Sequence, residues 1–243
     1  MKLDKIKRRY DIIIIGCGLS GISLALELNS KTKKSVLILE KKKKLEKDKS
    51  WCFWNYPLNP LTNKFDHKWK KIEIKSKTTQ IIKSDDNFSY NHIYSKKLYD
   101  LILEKELKSD KLDILFSQDV ENIKNVDNEN IIKLSSNKLI SSELIFDSRP
   151  PKIKQNKLVQ HFLGIELESD KSIFDKEKVT LMDFPETKSD IHFFYILPFT
   201  SKKALIESTY ISENLFNKEN YINDIMSYVN NRYPDVKFTE KFR

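Results

Sequence analysis

The sequence predicts a mixed α/β (α+β) fold in which a βαβ nucleotide-binding layer is interrupted by a mostly antiparallel β-sheet region. Three observations carry this. Of the four glycines in 243 residues, Gly16, Gly18 and Gly21 fall within six consecutive positions. A β-branched run, Ile12 to Ile15, leads into them, and a second apolar run, "SVLILE", follows and ends at Glu40. From His67 onward apolar and polar residues alternate with the period of two that half-exposed strands require.

In chain order, Ile12–Ile15 is bounded by charge before and glycine after, the pattern of a parallel strand buried on both faces. Leu19, Ile22, Ser23 and Leu26 then recur at helical spacing, and "SVLILE" is the second strand of the βαβ unit. Residues 51 to 61, rich in Trp, Tyr, Pro and Asn, read as a loop. "KWKKIEIKS" and "TTQIIKS" predict half-exposed antiparallel strands. "SKKLYDLILEKELKS" predicts a helix through Leu98, Leu101, Ile102 and Leu107, N-capped by Ser95. Short strands are expected at "LDILF", "VENIKNV", "NIIKL" and "ELIFDS", after which Arg149-Pro150-Pro151 breaks the pattern. "LVQHFLGIELE", "KVTLMDF", "IHFFYILPF" and "KALIESTYI" predict a further set of strands, followed by a helix from about Asn217 to Tyr233. The expected organisation is a dinucleotide-binding βαβ unit over 1–66, linking strands and a helix over 67–110, a return to the nucleotide-binding layer over 111–150, and a β-sheet substrate region with a terminal helix over 151–243.

The glycine cluster has the spacing G-x-G-x-x-G between a strand and a helix, which makes the layer Rossmann-like. The first glycine permits the tight turn, the second lets a pyrophosphate approach the backbone, and the third lets helix and strand pack closely. Gly16, Cys17, Gly18, Ser20 and Gly21 are therefore the expected phosphate-side residues. Glu40 ends the second strand about 20 residues further on, the place for a carboxylate that accepts hydrogen bonds from ribose hydroxyls. Glutamate there suits an unphosphorylated adenosine ribose, so FAD or NAD is expected before NADP, and the loop alone does not separate the first two.

Composition excludes several classes. With 39% hydrophobic and 33% charged residues the chain is globular with a polar surface. The net charge of +9 comes from lysines spread through almost every segment and matched by many Asp and Glu. That is a solvated lysine-biased surface, and no nucleic-acid partner is expected. The cysteines, Cys17 and Cys52, offer neither metal-ligand spacing nor a disulfide framework, and His67, His92, His161 and His192 show no metal spacing, so no metal is expected. The longest apolar run near the N-terminus is too short and too glycine-rich to span a bilayer. A soluble or membrane-peripheral protein in a reducing, cytoplasmic setting is what remains.

"DKSWCFW", "HKW" at His67 to Trp69, "QHFLGIELE", "VTLMDF", "FYILPF" and above all "ALIESTY" occur in one order between about Asp11 and Ile211. As a set they resemble the bacterial lycopene β-cyclases, FAD-dependent enzymes of carotenoid biosynthesis. The resemblance implies closure of the acyclic ψ end groups of lycopene into β-ionone rings, giving γ- and β-carotene. The cyclisation is an acid/base isomerisation with reduced FAD, with NAD(P)H as reductant and no net redox change. It implies lycopene and related carotenes as partners and peripheral membrane contact. It places the acid/base role on Glu207, in "LIESTY", where the family commonly has a second acidic residue next in line and this chain has Ser208. Alternation puts Leu205 and Glu207 on one strand face, where an apolar surrounding would keep the carboxyl protonated.

Trp51, Phe53, Trp54, Phe193, Phe194 and Tyr195 are candidates for lining a carotenoid tunnel, with core packing as the alternative for each. Asp147 and Arg149, in "ELIFDSRPP", resemble the strand that returns to the flavin. The family is longer than this chain, which implies that the C-terminal part is lacking here. A fragment or incomplete gene product is expected before a chain completed by a second polypeptide or a degenerate relative. Two further readings stay open: another FAD-dependent oxidoreductase of similar build, a hydroxylase or prenyl-lipid reductase, and an inactive flavin- or carotenoid-binding fragment.

Overall fold

The computed structural model describes residues 7–55, 64–150, 157–186 and 191–242. Its elements in chain order are β1 (Arg9–Ile15), α1 (Leu19–Lys31), β2 (Val36–Leu39), β3 (Ser50–Asn55), β4 (His67–Trp69), β5 (Lys71–Lys75), β6 (Gln80–Ser84) and β7 (Ser89–Tyr94). They continue with α2 (Ser95–Leu107), β8 (Leu112–Leu115), β9 (Val120–Val126), β10 (Glu129–Leu134), β11 (Leu139–Asp147) and β12 (Val159–Ser169). The last are β13 (Lys178–Asp183), β14 (Ile191–Pro198), β15 (Lys203–Ser212), α3 (Lys218–Arg232) and β16 (Phe238–Phe242). Two compact units result, one of Met1–Phe53, Pro57–Asp66 and His92–Pro151, the other of Trp54–Tyr56, His67–Asn91 and Lys152–Arg243.

The first unit is built on a six-stranded sheet in the order β8-β2-β1-β11-β10-β9. β8, β2, β1 and β11 are parallel, and β10 and β9 join antiparallel. Asp127 and Asn128 close the β9–β10 hairpin with positive φ at both positions, a conformation these two residue types tolerate. Four consecutive isoleucines suit β1 because successive side chains leave a strand on opposite faces and both faces are covered. Ile12 and Ile14 pack with Ile22, Ala25, Leu98 and Ile102 of α1 and α2. Ile13 and Ile15 pack with Leu37, Leu39, Ile132 and Ile140.

The second unit is built on a seven-stranded sheet in the order β16-β12-β15-β14-β13-β5-β6, antiparallel except between β13 and β5. α3 covers one face, where Ile225 and Val229 meet Ile165, Phe194, Ile196, Ala204 and Ile206. Asn217 caps this helix, its side chain accepting from the Asn220 amide at 3.0 Å. A third sheet has the order β3-β7-β4.

Three local expectations change. Residues 51–55, expected within a loop, belong to β3, because Trp51 and Phe53 are strong strand formers that pack against the core beside α1 and α2; the rest of that loop, 56–61, lies outside the described residues. Ser95 does not cap α2 but begins it, after Tyr94; its hydroxyl donates to Glu46 O and accepts from the Asp48 amide, tying the preceding loop to the helix. β7 and β16 are strands that alternation did not single out.

Candidate functional site

The C-terminal ends of parallel β1, β2 and β11 open on one side of the first sheet, where nucleotide crevices form in such folds. Gly16 stands at the end of β1 with φ +100°, and a Cβ there would lie 2.6 Å from the Ser148 hydroxyl. Gly21, inside the first turn of α1, lies so close to Gly16 that a Cβ would stand 2.1 Å from the Gly16 carbonyl oxygen. These two glycines let turn and helix close on each other.

Gly18 differs: a Cβ there would meet no atom of the chain within 4 Å. Its bare backbone faces open space, and it precedes a helix N-terminus that carries no side-chain cap and no acidic residue in its first turn. The amides of such a terminus, with the helix dipole, favour an anion. A phosphate-sized ligand fits this arrangement.

Glu40, buried just beyond β2, accepts the Cys17 amide at 2.8 Å and the Lys42 amide at 2.9 Å. These two bonds leave each carboxylate oxygen with capacity for a further donor. The Cys17 backbone donor is thus committed to Glu40, and burial, aided by that carboxylate, pushes the Cys17 thiol up to about 12. Cys17 is a wall of the site and no nucleophile. A cavity of about 400 Å³ is lined by Gly16, Cys17, Gly18, Glu40, Gln118 and Arg149, among others. Ser20 is exposed in the first turn of α1, and Gly21 is buried beneath it. Asp147 and Arg149 bind each other through the guanidinium Nε at 2.9 Å, and Arg149 also donates to Val120 O.

In the second unit, Glu207 lies half-buried on β15, on the sheet face away from α3. Tyr195 of β14 and Gly164 of β12 are its register partners. A Cβ on Gly164 would stand 3.0 Å from Leu205 Cδ1, so the glycine relieves Leu205, and 3.7 Å from Glu207 Oε2, an ordinary van der Waals distance. Desolvation raises Glu207 from the ordinary 4.5 to about 7, and the Thr209 hydroxyl, donating to Oε1 at 2.9 Å, offsets part of that rise. Tyr195 meets Tyr90 edge-on at 6.1 Å, and Tyr90 meets Trp54 at 4.9 Å. An aromatic row thus leads away from the position opposite the carboxyl.

The other aromatic candidates separate by strand parity. Phe193 shares the face of Glu207, whereas Phe194 points to the α3 side and stacks on Tyr228 at 4.1 Å. Trp51 and Phe53 pack on the core of the first unit. His161 bonds Tyr221 and Ser212, and His192 bonds Ser208 and stacks on Tyr210, in a polar layer beneath α3.

A parallel sheet with a glycine turn, an uncapped helix and an acidic strand end defines a Rossmann-type dinucleotide-binding unit, here joined to a predominantly antiparallel sheet unit. Compared with known proteins, the chain matches the lycopene cyclase protein family over residues 11–240, and it belongs to that family. No curated protein matches it significantly. Among solved structures it is similar to a geranylgeranyl bacteriochlorophyll reductase-like protein of Thermoplasma acidophilum. That likeness has TM-score 0.68 and 13% identity and covers 96% of this chain and 64% of that one. A complex of the halogenase PltM with FAD gives TM-score 0.65 at 13% identity, covering 96% and 59%. PqsL, an FAD-dependent monooxygenase of Pseudomonas aeruginosa by its description, gives 0.63 at 12%, covering 96% and 73%. The chain spans less than two thirds of the length of the first two. At these identities the likeness concerns the fold.

Proposed function

We propose that this protein is a lycopene β-cyclase that binds FAD in the crevice at the end of β1 and uses Glu207 as its acid. What supports the reading is a carboxyl whose pKa desolvation raises to about 7, with Tyr195 as its register partner, at the position to which the resemblance of "LIESTY" assigns the acid, in a chain of that family. The cofactor assignment draws on the glycine loop's fit to a dinucleotide, on Glu40 and on the FAD held by a structural relative. In that crevice the α1 amides beside Gly18 would hold the pyrophosphate and the free capacity of Glu40 the ribose hydroxyls. Bound FAD, kept reduced by a nicotinamide donor, supplies an electron-rich surface without net redox change.

The chain's own residues account for the acid/base part. The neutral Glu207 carboxyl gives its proton to the terminal alkene of an acyclic end group, leaving a carbocation. The neighbouring double bond attacks that carbon and closes the ring, and the new cation loses a proton, which the Glu207 carboxylate takes back. Atoms balance, and the product is an isomer. Thr209 holds the carboxyl's Oε1, and the aromatic faces of Tyr195 and Tyr90 favour the cation while excluding water. The substrate is an apolar polyene that partitions into lipid, so the working location is peripheral to a membrane; among the described residues no helix is long and apolar enough to cross one.

The test is expression in lycopene-accumulating cells beside Glu207→Gln, with pigments read by absorption and mass. Cyclic carotenes of unchanged mass from the wild type, absent with the variant, are expected. Products of altered mass would assign a reductase or hydroxylase instead, and unchanged lycopene from folded, flavin-loaded protein would refute the cyclase reading.

A further inference from the structure

The seven-stranded sheet ends at β6, and every residue of β6 is exposed. Ile81 and Ile82 are 52% and 48% exposed, and Ile74, the register partner of Ile81, is 39% exposed. Phe88, just beyond the strand, is also exposed. Because consecutive residues leave a strand on opposite faces, Ile81 and Ile82 make both faces of this edge apolar. Two large apolar side chains exposed on an edge strand are a liability in water, and packing on one face cannot cover both.

The charge around the edge is predominantly positive. From His67 to Lys83 there are six lysines and one acid, and that acid, Glu73, is buried and bound to Lys178 and Thr180. Lys71, Lys77 and Lys83 are exposed beside the isoleucines. Lys77 pairs with Glu186 at 2.8 Å, but both side chains are largely solvated, and such a pair yields readily to a better anion. Asp85 and Asp86 follow the hairpin, Asp86 bound by Lys70 at 2.7 Å. Apolar side chains flanked by lysines are the composition of a surface that enters the headgroup boundary of an anionic bilayer.

Register links this edge to the candidate acid. Ile74 pairs with Met182 of β13 on the sheet face that also carries Phe193, Tyr195 and Glu207. We infer that the β5–β6 hairpin is a bilayer-contact edge, with Ile74, Ile81, Ile82 and Phe88 reaching the acyl boundary and Lys71, Lys77 and Lys83 meeting anionic headgroups. The inference deepens the peripheral location proposed above by naming its surface, and it stands on this unit's surface whatever reaction the protein performs.

The experiment is co-sedimentation of the purified chain with vesicles of phosphatidylcholine alone or mixed with phosphatidylglycerol, at low and high salt. The wild type is expected to bind the mixed vesicles and to lose binding as salt rises. Ile81→Thr with Ile82→Thr keeps β-branched side chains and is expected to weaken binding about tenfold. Lys77→Glu with Lys83→Glu is expected to weaken it at least as much and to flatten the salt dependence. Unchanged melting temperatures would exclude unfolding as the cause. No binding by the wild type, or equal binding by the variants, overturns the inference. A dimer in sedimentation velocity that the isoleucine variant abolishes, without vesicle binding, would assign the edge to a second copy of the chain. Failed cyclisation with vesicle binding intact would remove the proposed reaction and leave the surface standing.

Discussion

The charge state of Glu207 can be tested without any substrate. Its pKa, raised by desolvation from 4.5 to about 7, means that folded protein retains a proton that the unfolded chain releases over this interval. Stability from this residue is therefore fully present below about 4.5 and is lost as pH rises through about 7. At about 1.4 kcal/mol per pH unit the ceiling is about 3 kcal/mol. Solvent reaching a half-buried carboxyl lowers the expectation to about 2 kcal/mol. Glu207→Gln preserves the size and the acceptor for Thr209 but carries no charge at any pH. Urea unfolding of wild type and variant across this range, taken as a difference, cancels the other titrating groups. The variant should gain about 2 kcal/mol on the wild type between the acid and alkaline ends, roughly a 1 M change in relative urea midpoint. A difference that does not move with pH would refute the buried carboxyl, and one that moves the opposite way would mean that a cation stabilises it.

Gly18→Ala should fold with an unchanged melting temperature, since its Cβ meets nothing of the chain, yet lose flavin retention at least tenfold. Gly21→Ala should instead cost about 3 kcal/mol or more, because its Cβ would overlap the Gly16 carbonyl; thermal unfolding beside flavin fluorescence separates the two cases. For Glu73, burial alone would raise the pKa, but hydrogen bonds from Lys178, Thr180 and Gln80 and the charge of Lys75 outweigh it and hold the carboxyl at about 2. Glu73→Gln should cost about 3 kcal/mol at neutral pH by leaving the partly buried Lys178 short of a counter-charge, while Lys75 keeps Asp183 at 3.2 Å. That difference should persist down to about pH 4.5 and vanish as pH falls through about 2, in acid-unfolding curves.

What was legible in the sequence was local. The glycine loop could be read because strand, spacing, helix and acidic strand end lie within 30 residues, each with its own physical signature. Its internal division of labour could not be read. That Gly16 serves packing depends on Ser148, more than 120 residues away, while Gly21 closes on Gly16 and Ile14 and Gly18 faces open space. Alternation put Leu205 and Glu207 on one face, and applied one strand further it also separates Phe193 and Tyr195 from Phe194. The Glu73 network was invisible, since its partners come from β6 and β13, and a lone glutamate in "KIEIK" looks like an ordinary exposed strand residue. The interleaving of the units was equally hidden at two of its crossings, which fall inside β3 and β7, where no proline, glycine or change in composition marks them.

Strand geometry also bears on whether one carboxyl can suffice. Residues 207 and 208 are adjacent on β15, so their side chains leave the sheet on opposite faces. Ser208 accordingly points under α3, fully buried, within 3.0 Å of His192 Nε2 and donating to Asp224 Oδ2 at 3.2 Å. Tyr210 donates to the same Asp224 oxygen at 2.9 Å. A second acid at position 208 would add its charge beside Asp224 in this layer, on the far side of the strand from Glu207. It could not share a substrate with Glu207 in this fold. Serine there completes a hydrogen-bonded layer that a carboxylate would disrupt by like-charge repulsion. The absence of an acidic pair therefore does not deprive Glu207's face of a catalyst, and the proposed chemistry places both the giving and the recovery of the proton on one carboxyl whose pKa lies near neutrality.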